Sequence, residues 1–283
     1  MNRVNLGHYV LGMEGLALLR TYIGPHNDTA EERIAEIRTF VNSPEQPPLT
    51  LQFDVPEADV PNGYALWSST YDVFPNPLIA IEEPAVHALL DPLPVGVALD
   101  AACGTGRLSK YLHVRGYTVI SVDTTPEMLA RAKAAVPVAE FRQGDLLALP
   151  MESSSVDLAV CGLALTHSPD LLPPLRELSR VVRPGGYILL SDFHPFMVVL
   201  GGTAFFVAAD GSAGYVTTYL HQHSAYLHAF QQTGLTVEHC VEPVFGESEV
   251  EMMSAGMMQM ARDAFRSALV GVPGALVWLL RRT

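Results

Sequence analysis

Hydrophobic residues between Val95 and Phe193 fall into short runs that alternate with helical patterns. Five apolar runs of strand length are separated by segments whose apolar residues recur every three to four positions, and glycine and proline mark the boundaries. The predicted strands are VGVALDA, YTVISVD, AEFRQGD, VDLAVCGLAL and YILLSDF. Because buried strands that alternate with helices form right-handed β-α-β crossovers, this pattern predicts a parallel sheet covered on both faces.

The pattern changes after the fifth strand. SAYLHAFQQTG is predicted to be a helix that Ser224 caps and Gly234 ends, and LTVEHCVEPV alternates like a strand. Residues 249–269 are predicted to be helical, and ALVWLLRR is predicted to be a last strand. Two late strands after five parallel ones predict a sheet that is completed by a hairpin-like pair.

The residues before Val95 lack this alternation of strands and helices. Residues 7–22 predict one helix, and a second is expected from Thr29, which has capping-box spacing to Glu32. The proline-rich segment NSPEQPPLTLQFDVPEADVPNG predicts a long ordered or semi-ordered connection rather than a helix. A further helix is expected from Glu83 to Leu90.

Composition excludes several classes of partner. The 283 residues are 49% hydrophobic and 17% charged, as in packed globular proteins, and the net charge is −13. This charge, without a local basic patch, argues against a nucleic-acid partner. No uncharged run approaches the ~20 apolar residues that a membrane span needs. Glu14 interrupts the apolar N-terminal stretch, so no secretory signal is expected.

Cysteine usage bears on the compartment. Cys103, Cys161 and Cys240 are odd in number and far apart in the sequence. We interpret them as free thiols of a protein in the reducing cytoplasm.

The segment ALDAACGTGRLS joins the first predicted strand to a helix through a tight turn. Gly104 and Gly106 lack Cβ atoms, so a ligand can approach the backbone closely. In open α/β sheets, ligands bind at the carboxyl ends of strands. The turn therefore predicts a ligand site, although a glycine pair alone also fits an ordinary structural turn.

Acidic residues end the next two strands. Asp123 can accept hydrogen bonds from both hydroxyls of a ribose, and Asp145 in QGDLLALP can accept one from an adenine amino group. Three successive strand ends thus predict one adenosine-bearing ligand, the alternative being three ordinary polar strand ends.

With these residues the chain resembles the class I S-adenosylmethionine-dependent methyltransferases, most closely the small-molecule branch typified by quinone-biosynthesis enzymes. The likeness lies within about residues 94–192, in ALDAACGTGRLS, VISVDTTPEMLARAK, FRQGDLLALPMESSSVDLAVC and LRELSRVVRPGGYILLSD. The resemblance implies a Rossmann-like α/β fold, with five parallel strands, a C-terminal pair and an antiparallel last strand. It also implies S-adenosyl-L-methionine as cofactor, and a methyltransferase domain at 61–283 behind a helical extension and linker at 1–60.

The resemblance further implies which residues bind the cofactor. They are Tyr71, Asp100, Ala102, Gly104, Gly106, Asp123, Thr124, Met128, Asp145, Leu146 and Cys161. In this scheme Asp100, Gly104 and Gly106 line the methionine side of the cofactor. Asp123 binds the ribose.

The resemblance also concerns the adenine pocket, an aromatic segment and one alanine. Asp145 with Leu146 brackets the adenine. Tyr71 and Phe74 resemble the N-terminal segment that closes over the cofactor in this family, with aromatic core packing as the alternative. Ala102 stands where the family usually has glycine, and we expect an ordinary φ there and a tolerated methyl group.

Two competing functions remain at this point. An NAD-dependent oxidoreductase would have a third glycine near position 109, which is Ser109 here. A non-catalytic cofactor-binding protein of the same fold is the other alternative, and the intact Asp123 and glycine pair count against lost cofactor binding.

Candidate bases lie where the fourth and fifth strands end. Methyl transfer to oxygen or nitrogen requires loss of a proton, usually to a histidine or carboxylate. We take His167 and His194 as the catalytic candidates, with a packing or orienting role as the alternative for each. They favour O-methylation weakly.

The insertion at about 193–223 should set acceptor specificity. It is apolar and aromatic, as is suitable for a small, largely apolar acceptor. A methionine cluster adds adaptable surface, although core packing explains most of it; its members are Met252, Met253, Met257, Met258 and Met260. The first 60 residues are expected either to cover the acceptor pocket or to build the contact of a homodimer.

The HQH sequence raises the question of a metal. We expect His221 and His223 to share one face of a strand, where they could join His194. Because no fourth ligand or dedicated spacing supports a site, no metal is predicted.

Overall fold

The computed structural model describes residues 2–22, 30–254 and 256–283. Its strands are β1 (Asn2–Asn5), β2 (Gln52–Val55), β3 (Glu57–Ala58), β4 (Val97–Ala101), β5 (Thr118–Asp123), β6 (Glu140–Gln143), β7 (Val156–Gly162), β8 (Val182–Phe193), β9 (Ala204–Val207), β10 (Ala213–Val216), β11 (Leu235–Val241) and β12 (Ala275–Arg282).

The helices alternate with these strands in the middle of the chain. They are α1 (Leu6–Arg20), α2 (Ala30–Asn42), α3 (Val60–Trp67), α4 (Pro77–Leu90), α5 (Arg107–Val114), α6 (Pro126–Ala135), α7 (Leu172–Val181), α8 (Pro195–Val199), α9 (His223–Gln232), α10 (Glu247–Met253) and α11 (Arg262–Leu269). Short 3-10 turns occupy Leu165–His167 and Gly256–Ala261.

The described residues divide into two compact units. One combines the chain up to Pro56 with Pro75–Ile81 and Val244–Pro273, and the other combines Glu57–Phe74, Glu82–Pro243 and Gly274–Thr283. The sequence pattern did not predict this grouping of segments from both ends of the chain.

The larger unit is built on a mixed sheet. In the described part of the chain, seven strands pair in the order β11-β12-β8-β7-β4-β5-β6. The five strands from β8 to β6 are parallel, and β12 runs antiparallel between β8 and β11. This confirms the predicted Rossmann-like fold class, including the C-terminal pair and the antiparallel last strand.

Alternate residues of β7 show why the strand is apolar throughout. Leu158 and Val160 pack into one buried cluster, whereas Ala159 and Cys161 pack into another. Successive side chains of a strand point to opposite faces, so both faces of the sheet are covered. Cys161, a predicted cofactor contact, is fully buried in this core.

Strand order reverses beside β4. The chain goes from β4 to β5 and β6 on one side, and then to β7 and β8 on the other. Crevices at such a reversal are where open α/β sheets bind ligands.

The proline-rich segment contains regular secondary structure that its composition does not indicate. It contains β2, β3 and the start of α3, so its prediction as a connection is wrong in part. Asp59 caps α3 by accepting the backbone N–H of Asn62 at 2.9 Å, and Pro61 lies in the first turn, where its missing N–H costs nothing. The helix expected from Glu83 begins earlier, at Pro77.

Caps and breaks account for other differences in the helices. Gln222, not Ser224, precedes the first residue of α9. The segment expected to be helical at 249–269 is divided into α10, a 3-10 turn and α11. The capping residue Thr29 and the side chains of Met257 and Met258 lie outside the described residues.

The smaller unit packs α1 against α11. Val10, Met13 and Ala17 are buried along α1, and the ring of Tyr9 meets that of Phe265 edge-on at 5.6 Å. An antiparallel ladder joins β1 to β2. Among the described helices, each is too short or too polar to cross a bilayer.

A buried ion pair fixes the start of α5 in the larger unit. The Arg107 guanidinium lies 2.8 and 2.9 Å from the two carboxylate oxygens of Glu82, whose side chain has no solvent exposure. Ser191 of β8 also donates to Glu82. Removing one partner of such a pair leaves an uncompensated charge in the interior.

We expect Arg107→Ala to lower the free energy of unfolding by about 3–5 kcal/mol, because Glu82 then remains buried without its counter-charge. The exposed Lys110 on the same helix gives the matched control, and Lys110→Ala should change stability by less than about 0.5 kcal/mol. Urea denaturation of both variants measures the difference. Equal stability of the two variants would contradict a structural role for the pair.

Candidate active site

A cavity of about 280 Å³ lies at the carboxyl ends of β4, β5, β6 and β7, next to the reversal of strand order. The ends of these strands and the turns after them supply most of its lining, and α3, Tyr71 and Pro174 of α7 supply the rest. The lining residues are Val60, Pro61, Tyr64, Tyr71, Ala102, Gly104, Val122, Asp123, Thr124, Thr125, Gly144, Asp145, Leu146, Leu147, Gly162, Leu163, Ala164, His167, Ser168, Pro169 and Pro174.

The turn after β4 contains strained backbone. Ala102 has φ 58°, so the expectation of an ordinary φ at this alanine is wrong. The next residue, Cys103, donates its backbone N–H to Val122 C=O at 3.0 Å, and Ala102 adopts the left-handed region that glycine prefers. Leu163, at the end of β7, has φ 55° and lines the same cavity.

The two glycines of this turn have different roles. A Cβ added to Gly104 (φ 55°) would meet no atom within 4 Å, so this glycine opens onto the cavity. A Cβ on Gly106 (φ 91°) would lie 3.1 Å from the Cα and Cβ of Ala132. Gly106 therefore serves the close packing of α5 on α6, and it is outside the cavity lining.

Asp123 organises the neighbouring loops. One carboxylate oxygen accepts the N–H of Gly104 at 2.8 Å, and the other accepts the N–H of Thr125 at 2.9 Å. Burial raises the pKa of Asp123, and these backbone hydrogen bonds oppose the shift. Because each carboxylate oxygen has further lone pairs, Asp123 can still accept hydrogen bonds from a ligand in the cavity.

The turn after β6 forms the opposite wall. Asp145 accepts the N–H of Leu147 at 2.8 Å, and its exposed carboxylate borders the cavity beside Leu146. A flat apolar ring with polar edges could lie against Leu146 and Leu147 with its edge towards Asp145. Gly144 leaves no space for a side chain here, since an added Cβ would lie 2.5 Å from Pro150.

Several of the residues implied by the family resemblance do not line the cavity. Asp100 is buried, and its carboxylate accepts the hydroxyl of Ser109 at 2.6 Å; burial raises its pKa to about 6. Met128 and Cys161 belong to the buried interior. Ser109, which replaces the third glycine of a dinucleotide fingerprint, thus has a defined partner in this fold.

His167 lies at the cavity in a well-defined hydrogen-bond arrangement. Its Nδ1 lies 2.8 Å from the backbone carbonyl of Thr217, which can only accept, so Nδ1 carries a proton. Its Nε2 lies 2.9 Å from the Tyr64 hydroxyl and accepts a hydrogen bond from it. Burial lowers the pKa of His167, which keeps the ring neutral at neutral pH.

Aromatic rings surround this pair. Trp67 packs on Tyr71 with ring centroids 4.8 Å apart, and on Phe206 at 6.1 Å. Tyr71 lines the cavity, whereas Phe74, three residues later, is 70% exposed. Burial raises the pKa of the Tyr64 hydroxyl well above its ordinary value, so this group stays protonated.

The segment after β10 holds the turn that carries His167. Tyr219 donates its backbone N–H to Thr166 C=O at 2.7 Å, and His221 Nε2 lies 2.8 Å from Ser168 C=O. The predicted insertion itself forms a β9-β10 hairpin that β3 extends. The insertion therefore stabilises the turn that carries His167.

The structure places His194 elsewhere. Its Nε2 lies 3.0 Å from Glu242 Oε1, its Nδ1 accepts the N–H of Phe196 at 3.2 Å, and it is not among the described residues that line the cavity. His221 and His223 do not share a strand face, because the segment between them leads into α9. Of the two predicted bases, His167 is the one at the cavity.

Tyr64 is the main residue that the sequence analysis missed. It lies on α3, inside the segment predicted to be a connection, so no pattern assigned its face. The apolar wall made by Leu163, Ala164 and Pro174 also went unassigned. The capping pattern D-x-x-N at Asp59 was the signal available for α3.

Comparison with known proteins identifies the class of the site. Residues 99–190 match the family described as "Methyltransferase domain". These residues include the turn after β4, Asp123, Asp145 and His167. The match confirms the resemblance to methyltransferases that was inferred from the sequence.

Individual relatives are similar over part of their length. The chain is 40% identical over 90 residues to malonyl-[acyl-carrier protein] O-methyltransferase of Pectobacterium atrosepticum, covering 32% of this chain and 36% of that protein. It is 38% identical over 111 residues to demethylmenaquinone methyltransferase of Lactococcus lactis, covering 36% of this chain and 44% of that protein. The matched region thus spans well under half of these relatives.

A solved structure extends the similarity in three dimensions. An S-adenosylmethionine-dependent methyltransferase from Mesorhizobium loti superposes with a TM-score of 0.54 at 25% identity, covering 71% of this chain and 98% of that one. The NAD-dependent alternative has no support among these proteins.

We expect Ala102→Gly to stabilise the protein by up to about 1 kcal/mol, since glycine adopts a positive φ without the clash of a Cβ. Ala130→Gly on the exposed face of α6 is the control with the opposite sign, and should destabilise by about 0.5–1 kcal/mol. Denaturant midpoints measure both. If the two variants lose stability equally, the backbone of Ala102 is not strained in solution.

Proposed function

We propose that this protein is an S-adenosylmethionine-dependent methyltransferase that methylates a small, largely apolar organic acceptor, with oxygen as the favoured acceptor atom. The observation that supports it best is one cavity bordered by Gly104, Asp123 and Asp145 on one side and by His167 with Tyr64 on the other. The first group suits an adenosyl ligand, and the second can take up a proton.

The residues of the cavity fit the cofactor in their chemistry. Asp123 would accept the ribose hydroxyls, Asp145 would accept the adenine amino group, and the open face at Gly104 would admit the methionine part. When bound, the cofactor supplies an electrophilic methyl group on a sulfonium. The protein's part is to hold the acceptor in line with that group and to exclude water.

The hydroxyl of the acceptor loses its proton through Tyr64 in this proposal. The acceptor donates to the Tyr64 oxygen, and the Tyr64 proton passes to His167 Nε2 over 2.9 Å. With the cofactor bound, the oxygen lone pair would form the new bond to the methyl carbon while the methyl–sulfur bond breaks and leaves its electron pair on sulfur. The carbonyl of Thr217 stabilises the imidazolium through Nδ1–H.

The acceptor class follows from the wall of the cavity. Val60, Pro61, Leu163, Pro169 and Pro174 give it an apolar surface with few polar groups. Such a surface favours a hydrophobic small molecule. One relative is named for O-methylation, of malonyl-[acyl-carrier protein], and another for the methylation of demethylmenaquinone.

The net charge and the thiols support a cytoplasmic enzyme without a nucleic-acid partner. The charge of −13 disfavours approach to phosphate backbones. The three cysteines are free, as is usual in a reducing compartment.

We expect S-adenosylmethionine, and not NAD, to raise the melting temperature of the protein. Asp123→Ala should weaken cofactor binding by about 1–2 kcal/mol, because the ribose hydroxyls then lose a charged acceptor. Calorimetric titration measures this affinity, and the exposed Glu127→Ala provides the control at the next helix start. Unchanged affinity in Asp123→Ala would refute the ribose assignment.

Since Asp123 also holds two backbone N–H groups, the titration should be made well below the melting temperature of each variant. Asp123→Asn keeps one side-chain oxygen as an acceptor and distinguishes loss of fold from loss of ribose binding.

We expect His167→Gln and Tyr64→Phe each to lower kcat by about 100-fold at saturating cofactor, since each removes one part of the proton path. Exposed His228 offers the control, and His228→Gln should leave kcat unchanged. The assay follows methylated products by mass spectrometry over a panel of apolar hydroxyl compounds. Cofactor affinity should stay the same in all three variants.

The pH profile tests the same assignment. Neutral His167 accepts the proton, and burial lowers its pKa, so turnover should persist to below pH ~6.5 and then fall. This acid limb should disappear in the residual activity of His167→Gln. An unchanged profile in that variant would exclude His167 as the base.

A further inference from the structure

Three side chains from separate elements meet at the carboxyl edge of the large sheet, outside the cavity. His194 follows the end of β8, His223 begins α9, and Glu242 follows the end of β11. Both strands run antiparallel to β12, so β8 and β11 end at the same edge. The fold thus unites residues that are 29 and 19 positions apart in the sequence.

The three ligand atoms are already close together. Glu242 Oε1 lies 2.8 Å from His223 Nε2 and 3.0 Å from His194 Nε2, and all three atoms are within 4.8 Å of one another. Ligand atoms around a tetrahedral ion at about 2.1 Å lie about 3.4 Å apart. The two separations therefore need to widen by only ~0.5 Å to admit an ion.

We propose that His194, His223 and Glu242 form a binding site for a divalent transition-metal ion, with Zn²⁺ as the fitting ion. Two imidazoles and one carboxylate are the ligand types that Zn²⁺ accepts, whereas Mg²⁺ and Ca²⁺ prefer oxygen alone. Three protein ligands leave a coordination position for water. The sequence analysis predicted no metal because it found no fourth ligand beside His194, His221 and His223; in the structure Glu242 takes the place of His221 in a group of three.

The pattern of burial at the site favours binding from solvent. The side chain of His194 is 10% exposed, whereas those of His223 and Glu242 are 39% and 48% exposed. The buried histidine anchors the site, and the other two ligands leave it open to solvent.

Packing restricts the rings before an ion arrives. The His223 ring lies 5.5 Å from that of His194 and 6.1 Å from that of Trp278, both edge-on. His221, by contrast, is directed to the Ser168 carbonyl and is not a ligand. The site therefore takes its second histidine from the start of α9.

Metal binding has one identifiable cost. His194 Nδ1 accepts the N–H of Phe196 at 3.2 Å, and coordination through Nε2 requires a proton on Nδ1 instead. The long hydrogen bond must therefore break when an ion binds.

Zinc binding by the full chain tests the proposal without cofactor or turnover. After tag removal and chelator treatment, Zn²⁺ is titrated in competition with a chromophoric chelator. We expect one equivalent to bind, with Mg²⁺ unable to compete. Glu242→Gln and His223→Gln should each weaken binding at least about tenfold, and His228→Gln, which alters another exposed histidine of α9, should not.

Co²⁺ provides a second readout on the same proteins. The visible absorption of tetrahedral Co²⁺ should appear in the wild type and be lost in Glu242→Gln, a variant that can still accept the histidine hydrogen bonds. Circular dichroism checks that each variant is folded. The proposal is overturned if the wild type binds no zinc at micromolar concentrations, or if folded Glu242→Gln and His223→Gln bind it as the wild type does.

Discussion

The carboxylate of Asp123 is the constraint on which the rest of the site depends. It ends β5 and accepts the N–H of Gly104 at 2.8 Å and of Thr125 at 2.9 Å, so one side chain fixes the turns after two adjacent strands. The backbone of the turn after β4 is strained at Ala102, which has φ 58°. Asp123 stabilises this backbone and also faces the cavity, which means that the group that shapes the site is one that would bind the ligand.

The other side of the cavity depends on the segment between β8 and α9. The Thr217 carbonyl sets the tautomer of His167, and Tyr219 and His221 bind the turn on either side of it. A histidine with a fixed Nδ1–H and a lowered pKa presents a lone pair at Nε2 throughout the neutral range. The two sides of the cavity are thus held by different parts of the chain, one by Asp123 and the other by the segment between β8 and α9.

Periodicity and turn residues predicted the sheet because strands buried on both faces must be apolar throughout. These patterns also predicted that Gly104, Asp123 and Asp145 lie close together, because parallel strands end at one edge of the sheet. Sequence alone could not distinguish the roles of Gly104 and Gly106, since only the packing of α5 on α6 shows which glycine faces the cavity. It missed Tyr64 because α3 is short and starts among prolines. The positive φ of Ala102 accompanies the Cys103–Val122 hydrogen bond, which joins residues distant in the sequence and leaves no local signal.

His167 and His194 show why a strand-end histidine has no fixed role. Both follow apolar strands, and both have one nitrogen directed to the backbone, yet the backbone groups differ. A carbonyl opposite Nδ1 of His167 makes that nitrogen a donor and leaves Nε2 as a base, whereas an N–H opposite Nδ1 of His194 makes Nε2 the donor to Glu242. The backbone group that bonds to Nδ1 therefore determines the state of Nε2. In His167 this nitrogen can accept a proton at the cavity, whereas in His194 it donates to a carboxylate outside the cavity. The same logic implies that an ion held by His194 must first reverse its tautomer, while His167 needs no such change to act.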